Sequence, residues 1–422
     1  MKGELFSEYR GIPSQAKLLV YLSFIPNVAI GFIYTDLAYL LPNVKGLDPT
    51  LAGVVGSVMG VTLVVESIPM GILADRFGRR KMLLLGNVCA SLSLIGFALT
   101  SSFPLLVVVA LLEGTGETAY AVSVSALMAE KAGDEKRTPA FSLLAFIGWI
   151  AGALGSAIIS TVVPLQSFGL DVGEAHVVLY VVVGLVNLSI TPLIFKVKES
   201  QVHRETGAIL PRKSGGVIKK FILYSVLIAV GAGLFVPIMT FWFSKAYGVT
   251  DAVSGPVLGL TNLLTAFVVF MSPRLAKKWG LVKATVVTQA SSTVFMLAIP
   301  SAPNFAIAAS LYLVRVFLMN LSNPLTQSLI MGLVSPEERG MASGITASTW
   351  RLPNSLSQIV GFALIGGGFL ALPFYIATVL YAVGIALFWF MFKDARLPEE
   401  SAGPPLQAPV QSSSLEGPEP PL

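Results

Sequence analysis

Six ionisable residues stand inside strongly apolar surroundings: Asp36, Glu66, Glu113, Glu117, Arg315 and Arg351. A charge at the centre of a bilayer costs roughly 2.5–3.5 kcal/mol on insertion scales, so such residues mark function by default. All four acids fall in the first half of the chain and both arginines in the second. Glu113 and Glu117 are four residues apart, which on a helix places them on one face with Gly116 and Tyr120. Two carboxylates brought close in a low dielectric do not both ionise, and that is the property a proton carrier needs. Glu113 and Glu117 are therefore the first proton-coupling candidates, with Asp36 and Glu66 behind them. The competing expectation is a structural ion pair, Glu113 with Arg315. Arginine keeps its proton, so Arg315 and Arg351 each need an anion or several carbonyls. Arg315 and Arg351 are both substrate-binding candidates, one of them expected to recognise an anionic group on a ligand; Arg315 is the first choice, because Arg351, beside Pro353 and Asn354, has local acceptors. Tyr120 and Asn320 are further binding candidates, and Asn262, Asn323, Gln327 and Asn354 serve either a ligand or helix linkage. The two histidines, His176 and His203, leave no material for a histidine metal cluster, and none is expected to handle protons inside the membrane. The single cysteine, Cys89, excludes a cysteine metal site, so no metal and no bound cofactor is expected.

The elements that must hold these residues are membrane helices. Of 422 residues 54% are hydrophobic and only 12% charged, half the charge of an ordinary soluble chain. That excludes a soluble globular protein and a nucleic-acid partner despite the net charge of +5. Twelve apolar runs are long enough to cross a bilayer, near 18–41, 52–73, 81–100, 104–128, 139–163, 176–195, 218–244, 253–273, 282–300, 304–333, 340–366 and 370–392. They lack the period-two alternation of barrel strands, so an all-α membrane protein is expected. Of the 28 Lys and Arg, 24 lie at the two ends and in the even-to-odd loops, and only Lys45 and Lys245 lie in loops on the opposite side. By the positive-inside rule both termini are cytoplasmic, in a protein of the plasma membrane.

A shift of 202 residues lays the chain on itself without gaps. Gly31, Gly46, Gly53, Gly78, Lys81 and Arg137 meet Gly233, Gly248, Gly255, Gly280, Lys283 and Arg339. The expected organisation is therefore a six-helix bundle over 1–196, a polar basic linker loop over 197–217, a second six-helix bundle over 218–393, and a proline-rich disordered tail over 394–422. The bundles are parallel repeats about an axis along the membrane normal.

Between the second and third runs lies GILADRFGRRK, Gly71 to Lys81. It resembles the hallmark loop of the major facilitator superfamily, G-x-L-A-D-R-x-G-R-[RK]-x, at every specified position. The second-half counterpart, Pro273 to Lys283, is degenerate. The resemblance, over about residues 18–392, implies the major facilitator fold. It also implies a conformational latch built from Gly71, Asp75, Arg76, Gly78, Arg79, Arg80 and Glu130, with Asp75 meeting the start of helix 11 near Gly340 and Arg79 pairing with Glu130. It implies further that helices 1, 4, 7 and 10 line a central cavity, into which Glu113 and Arg315, matched by the repeat, would both face.

The resemblance implies a secondary transporter moving a small organic solute by alternating access. Cavity carboxylates favour a proton gradient as the drive, with sodium as the alternative ion. Efflux of amphipathic compounds by antiport is the first expectation and proton-coupled uptake of an organic anion the second. The glycines of helix 5, Gly148, Gly152 and Gly155, match the antiporter pattern only in part, because Ala153 stands where that pattern has proline. Phe241, Trp242, Phe388, Trp389 and Phe390 are expected to face lipid or stand at the membrane interface. No nucleophile–base set and no phosphate loop is present in the spans, so an enzyme is not expected. A non-transporting receptor or scaffold is the other class considered, and it would not need a latch motif or a charged cavity. The expected partners are a small-molecule substrate and the lipid bilayer, with the monomer as the working unit.

Overall fold

The computed structural model describes residues 11–198, 214–335 and 338–395. These form twelve long helices: α1 (Ser14–Val44), α2 (Pro49–Phe77), α3 (Arg79–Leu99), α4 (Phe103–Gly133), α5 (Glu135–Ser167), α6 (Val172–Ile194), α7 (Gly215–Tyr247), α8 (Asp251–Trp279), α9 (Leu281–Ser301), α10 (Phe305–Leu333), α11 (Arg339–Gly366) and α12 (Leu372–Phe392). Eleven of them are long and apolar enough to cross a membrane among the described residues. The exception, α11, carries Thr346, Thr349, Arg351, Asn354, Ser355, Ser357 and Gln358 along its middle. Part of this stripe meets the other half, with Arg351 at Glu117 and Gln358 at Gly56, and part meets α7, with Asn354 donating to the Ala229 carbonyl, so hydropathy alone undersells α11.

Local chemistry sets the boundaries. The Asp48 carboxylate accepts from the Thr50 and Leu51 amides and starts α2, while Asp171 and Glu174 form a reciprocal cap that starts α6. Gly78 at φ 105° and Gly280 at φ 75° separate α2 from α3 and α8 from α9. Those left-handed turns favour glycine, and their equivalence places the repeat in the backbone as well as in the sequence.

The helices make two six-helix bundles, α1–α6 and α7–α12, as the repeat predicts. Aromatic packing fills each one. Phe32 meets Tyr180 at 4.6 Å in the first, and Trp242 meets Phe374 at 4.9 Å in the second. Three of the aromatics expected to face lipid are instead buried: Phe241, Trp242 and Phe388. Trp242 donates its indole N–H to the Leu370 carbonyl at 2.8 Å, so its ring belongs to the helix–helix core. Trp389 and Phe390 are exposed on the helix surface as expected.

The two ends of the molecule differ. The described chain begins and finishes at the terminal end, with the Gly78 and Gly280 turns; the loops at Gly46, Gly169, Gly248 and Gly368 form the far end. Close contacts between the bundles gather toward the far end. The Ser57 hydroxyl donates to the Ser355 carbonyl at 2.5 Å, and Thr240 donates to the Thr35 carbonyl at 3.0 Å. A methyl at Gly53 would fall 2.8 Å from Ile359 Cα, and one at Gly259 would fall 2.7 Å from the Ala153 carbonyl oxygen. Toward the terminal end, Gly71 faces Val122 of its own bundle and Gly344 has nothing within 4 Å. Among the described residues, the close contacts between the bundles therefore gather at the far end.

Candidate functional site

The space between the bundles consists of three adjoining lobes of about 340, 610 and 580 Å³. Glu117 and Tyr34 line the first two lobes, Trp149 joins the second and third, and Trp350 and Arg351 join the first and third. The Tyr34 hydroxyl donates to Glu117 Oε2 at 2.6 Å. Arg351 Nη1 lies 3.6 Å from Glu117 Oε1, an ion pair between α4 of one bundle and α11 of the other. The Glu117 side chain is 11% exposed and that of Arg351 is 49% exposed. The arginine thus faces open cavity with one long contact, while the carboxylate is held by a short hydrogen bond as well. Around this pair stand the half-exposed rings of Trp149, Trp350 and Tyr34. Chemically, the site offers a guanidinium with spare donors, an acid that a proton can neutralise, and aromatic walls.

The remaining buried charges sit elsewhere. Glu113 is buried at 2% exposure against α3, where the Ser93 hydroxyl donates to it. Four residues advance a helix by about 40° of rotation, enough to send Glu113 into the bundle and Glu117 into the cavity. Arg315 is likewise buried inside its own bundle. It donates from Nη2 to the Tyr381 hydroxyl at 2.7 Å and lies over the Phe235 and Tyr381 rings at 5.0 and 5.6 Å. Glu113 and Arg315 are not paired and line none of the three lobes, so the expected pair gives way to Glu117 with Arg351. Glu66 accepts from the Thr115 hydroxyl at 3.1 Å, linking α2 to α4.

Tyr120 is buried and lines the second lobe, and Asn320 lines the third while donating to the Thr265 hydroxyl at 3.1 Å. Asn323, Gln327, Asn262 and Asn354 also line the lobes. The helix 5 glycines serve close packing. A methyl at Gly155 would meet the Val28 carbonyl oxygen at 2.0 Å, and Gly152 abuts Gly31.

In the turn after α2, Arg79 reaches Asp75 at 3.0 Å and Glu130 at 3.3 Å, and Lys131 reaches Glu130 at 2.6 Å. Asp75 is half exposed. Its expected meeting point near Gly340 lies outside the described side chains. Gly71 packs toward α4, Gly78 forms the turn, Arg76 lies over Phe77 at 5.5 Å and Arg80 over Phe195 at 6.0 Å.

Sequence reasoning missed one constellation. Asp36, His176 and Asp251 converge from α1, α6 and α8, and all three are buried. The expectation gave no histidine a place among the buried ionisable groups, whereas His176, in the first turns of α6, is 1% exposed and stands between two buried acids. A signal was present. The 202-residue shift lays Asp36 on Ile238 and Asp251 on Pro49, so both acids break the repeat. His203 lies outside the described residues.

The sequence profile of the Major Facilitator Superfamily matches residues 18–358. The chain is 22% identical over 393 residues to an uncharacterized membrane protein, YJR124C, of Saccharomyces cerevisiae, covering 79% of this chain and 87% of that protein. Among solved structures, the nucleoside transporter NupG superposes with a TM-score of 0.72 at 15% identity, over 90% of this chain and 99% of that one. A bacterial homologue of the human lysosomal transporter Spinster, solved in an inward-facing and occupied conformation, gives 0.72 at 14% identity, over 89% and 95%. At these identities the likeness to the solved structures is one of fold.

Proposed function

The chain belongs to the Major Facilitator Superfamily and is an integral membrane transport protein of the secondary type, and from that premise we propose that it moves a small amphipathic organic anion together with a proton. The observation that carries this reading is the pair of Glu117 and Arg351 across the bundle interface, with Arg351 half exposed to the cavity. In the empty cavity Glu117 holds Arg351. A proton on Glu117 removes that attraction and frees the guanidinium for an anionic group, whose apolar body rests on Trp149 and Trp350. Once Arg351 holds the substrate, no unpaired charge remains in the cavity, and the bundles rock to expose it on the other side. Proton and anion then travel together, and the inward proton gradient drives uptake. Glu66 and Asp36 are secondary proton sites in this reading. The basic loops support a placement with both termini in the cytoplasm, and in this reading the membrane is the plasma membrane and the open terminal end faces the cytoplasm. The Arg79–Asp75–Glu130 turn is the latch that regroups when that end closes. The unit is a monomer, and a proton gradient rather than a bound cofactor supplies the energy.

The aromatic walls favour a second reading, efflux of an amphipathic cation that competes with the proton for Glu117. Proteoliposomes separate the two with fluorescein as the anionic probe and ethidium as the cationic one. The first reading requires that an inwardly acid-to-alkaline gradient accumulate fluorescein, with Arg351→Gln abolishing it. Gradient-driven ethidium exchange without fluorescein movement would reverse the choice, and movement of neither dye would remove both.

A further inference from the structure

The Asp36–His176–Asp251 cluster sits toward the far end, away from the central lobes. His176 Nδ1 lies 2.7 Å from the Val172 carbonyl oxygen, and Nε2 lies 2.7 Å from Asp251 Oδ2. Both partners are pure acceptors when the carboxyl is ionised. A neutral imidazole has one N–H and one lone pair, so it can satisfy only one of them and would point its lone pair at the other. The observed closed geometry therefore needs one additional positive charge between ring and carboxylate. A proton there lets the ring donate from both nitrogens. Asp36 Oδ1 faces the same Nε2 at 3.8 Å, and both Asp36 oxygens are buried without a hydrogen-bond partner among the described residues. Every titratable neighbour can be named. Tyr39 of α1 stacks on the ring at 6.4 Å, Tyr180 of α6 lies one turn on with its hydroxyl unpartnered among the described residues, and Lys45 shares the adjoining cavity.

That cavity, of about 230 Å³, is lined by Lys45, Ser101, His176 and Tyr180 and lies at the far end. Lys45 donates to the Ala98 and Thr100 carbonyls at 3.1 and 2.8 Å, and half-burial holds its ammonium below the usual lysine range. The cavity gives the cluster a route to the far side that does not pass through the substrate lobes.

We infer that Asp36, His176 and Asp251 form a second proton-binding site, which locks the two bundles together at the far end when a far-side proton occupies it. The division of the cluster between bundles supplies the switch. His176 and Asp36 belong to the first bundle, and Asp251 opens α8 in the second. With the proton bound, the ring bridges the bundles and the far end stays shut. When the proton leaves, lone pair and carboxylate face each other and the bridge is lost, so the far end opens. The inference uses the alternating-access reading above only for what the lock controls: an acid far side holds the far end shut, so the lock restrains the uptake that the same gradient drives, while the charge state of the ring is independent of any substrate.

With only two histidines in the chain, His203→Gln leaves His176 as the sole imidazole. The full chain in nanodiscs, labelled with ring ¹⁵N-histidine, should show both ring nitrogens protonated in the closed state and a single transition to the neutral ring as the pH is raised. Spin labels at Thr50→Cys and Phe369→Cys in a Cys89→Ser background report the far end. Their closed-to-open ratio should rise about tenfold on lowering the pH through the same transition, wherever the ring signal places it. His176→Gln and Asp251→Asn should make the distance insensitive to pH. A ring that is neutral throughout overturns the inference, as does a distance change that does not coincide with the ring transition. So does a ring signal that moves only when Zn²⁺ is added and reverts with chelator, which would make the cluster a metal site. If Asp251→Asn fails to fold, the coincidence of the two transitions in the unmutated cluster still decides. Failure of dye transport with an intact ring transition would count against the anion reading alone.

Discussion

The contact between α2 and α11 gives a quantitative handle on the state the protein occupies. Gly53 lies so close to α11 that a methyl would sit 2.8 Å from Ile359 Cα and 3.3 Å from both the Gln358 carbonyl oxygen and Phe362 Cβ. The nearest atom is backbone, so no side-chain rotation relieves it. Gly53→Ala must push the bundles apart at the far end, and overpacking of this kind costs about 1–3 kcal/mol. In a state with the far end open the same methyl meets nothing from α11, so the cost falls on one state only. A differential of about 1–3 kcal/mol shifts a two-state ratio about 5–150-fold. The gain in helix propensity from Gly to Ala applies to both states and cancels. Electron–electron distance measurement between labels at Thr50→Cys and Phe369→Cys should show the long, open distance enriched by that factor. Gly216→Ala, where nothing lies within 4 Å, should leave the distribution unchanged. A Gly53→Ala distribution identical to the parent, in protein of unchanged thermal stability, would refute the reading of this contact as the shut face of a two-state gate.

Other perturbations separate folding from transport. Arg315→Met removes the donor to Tyr381 and the cation from two ring faces, and it should lower the unfolding midpoint by about 1–3 kcal/mol worth of stability, read by thermal shift, with little change in substrate KM. Gly155→Ala drives a methyl to 2.0 Å from the Val28 carbonyl oxygen within one bundle, so reduced yield and a lower midpoint are expected without a change in the ratio of gate states. Glu113→Gln keeps a partner for Ser93 and should leave gradient-driven fluorescein uptake within a few-fold of the parent, whereas Glu117→Gln should abolish its pH dependence. Survival of gradient drive in Glu117→Gln would remove Glu117 as the coupling acid.

Much of the architecture was legible because lipid imposes it. Apolar runs of the right length and the Gly78 and Gly280 turns define helices and repeat before any coordinate is known. The helix read least well by hydropathy, α11, is the one whose middle carries polar contacts to both bundles, so its polarity reports helix–helix contact and cavity rather than solvent. The site was legible as a set of buried charges but not as pairs. Glu113 and Glu117 share a helical face, and only the rotation of α4 against α1 and α3 decides which one meets Tyr34 and which meets Ser93. Arg351 looked satisfied by its neighbours in sequence, yet its partner comes from 234 positions earlier in the chain, a separation no local pattern encodes. His176 and Asp251 stand at the ends of their spans, where polar residues are ordinary, and only the closing of the far end makes them a cluster.

The central claim is that a proton on Glu117 releases Arg351 for an anion. Fluorescein binding to purified protein, measured by fluorescence anisotropy across pH, tests it without need of a membrane gradient. The account predicts that affinity rises as pH falls in the parent, and that Glu117→Gln binds at every pH as tightly as the parent does in acid. A Glu117→Gln variant that binds more weakly, or that retains the parent's pH dependence, would contradict it.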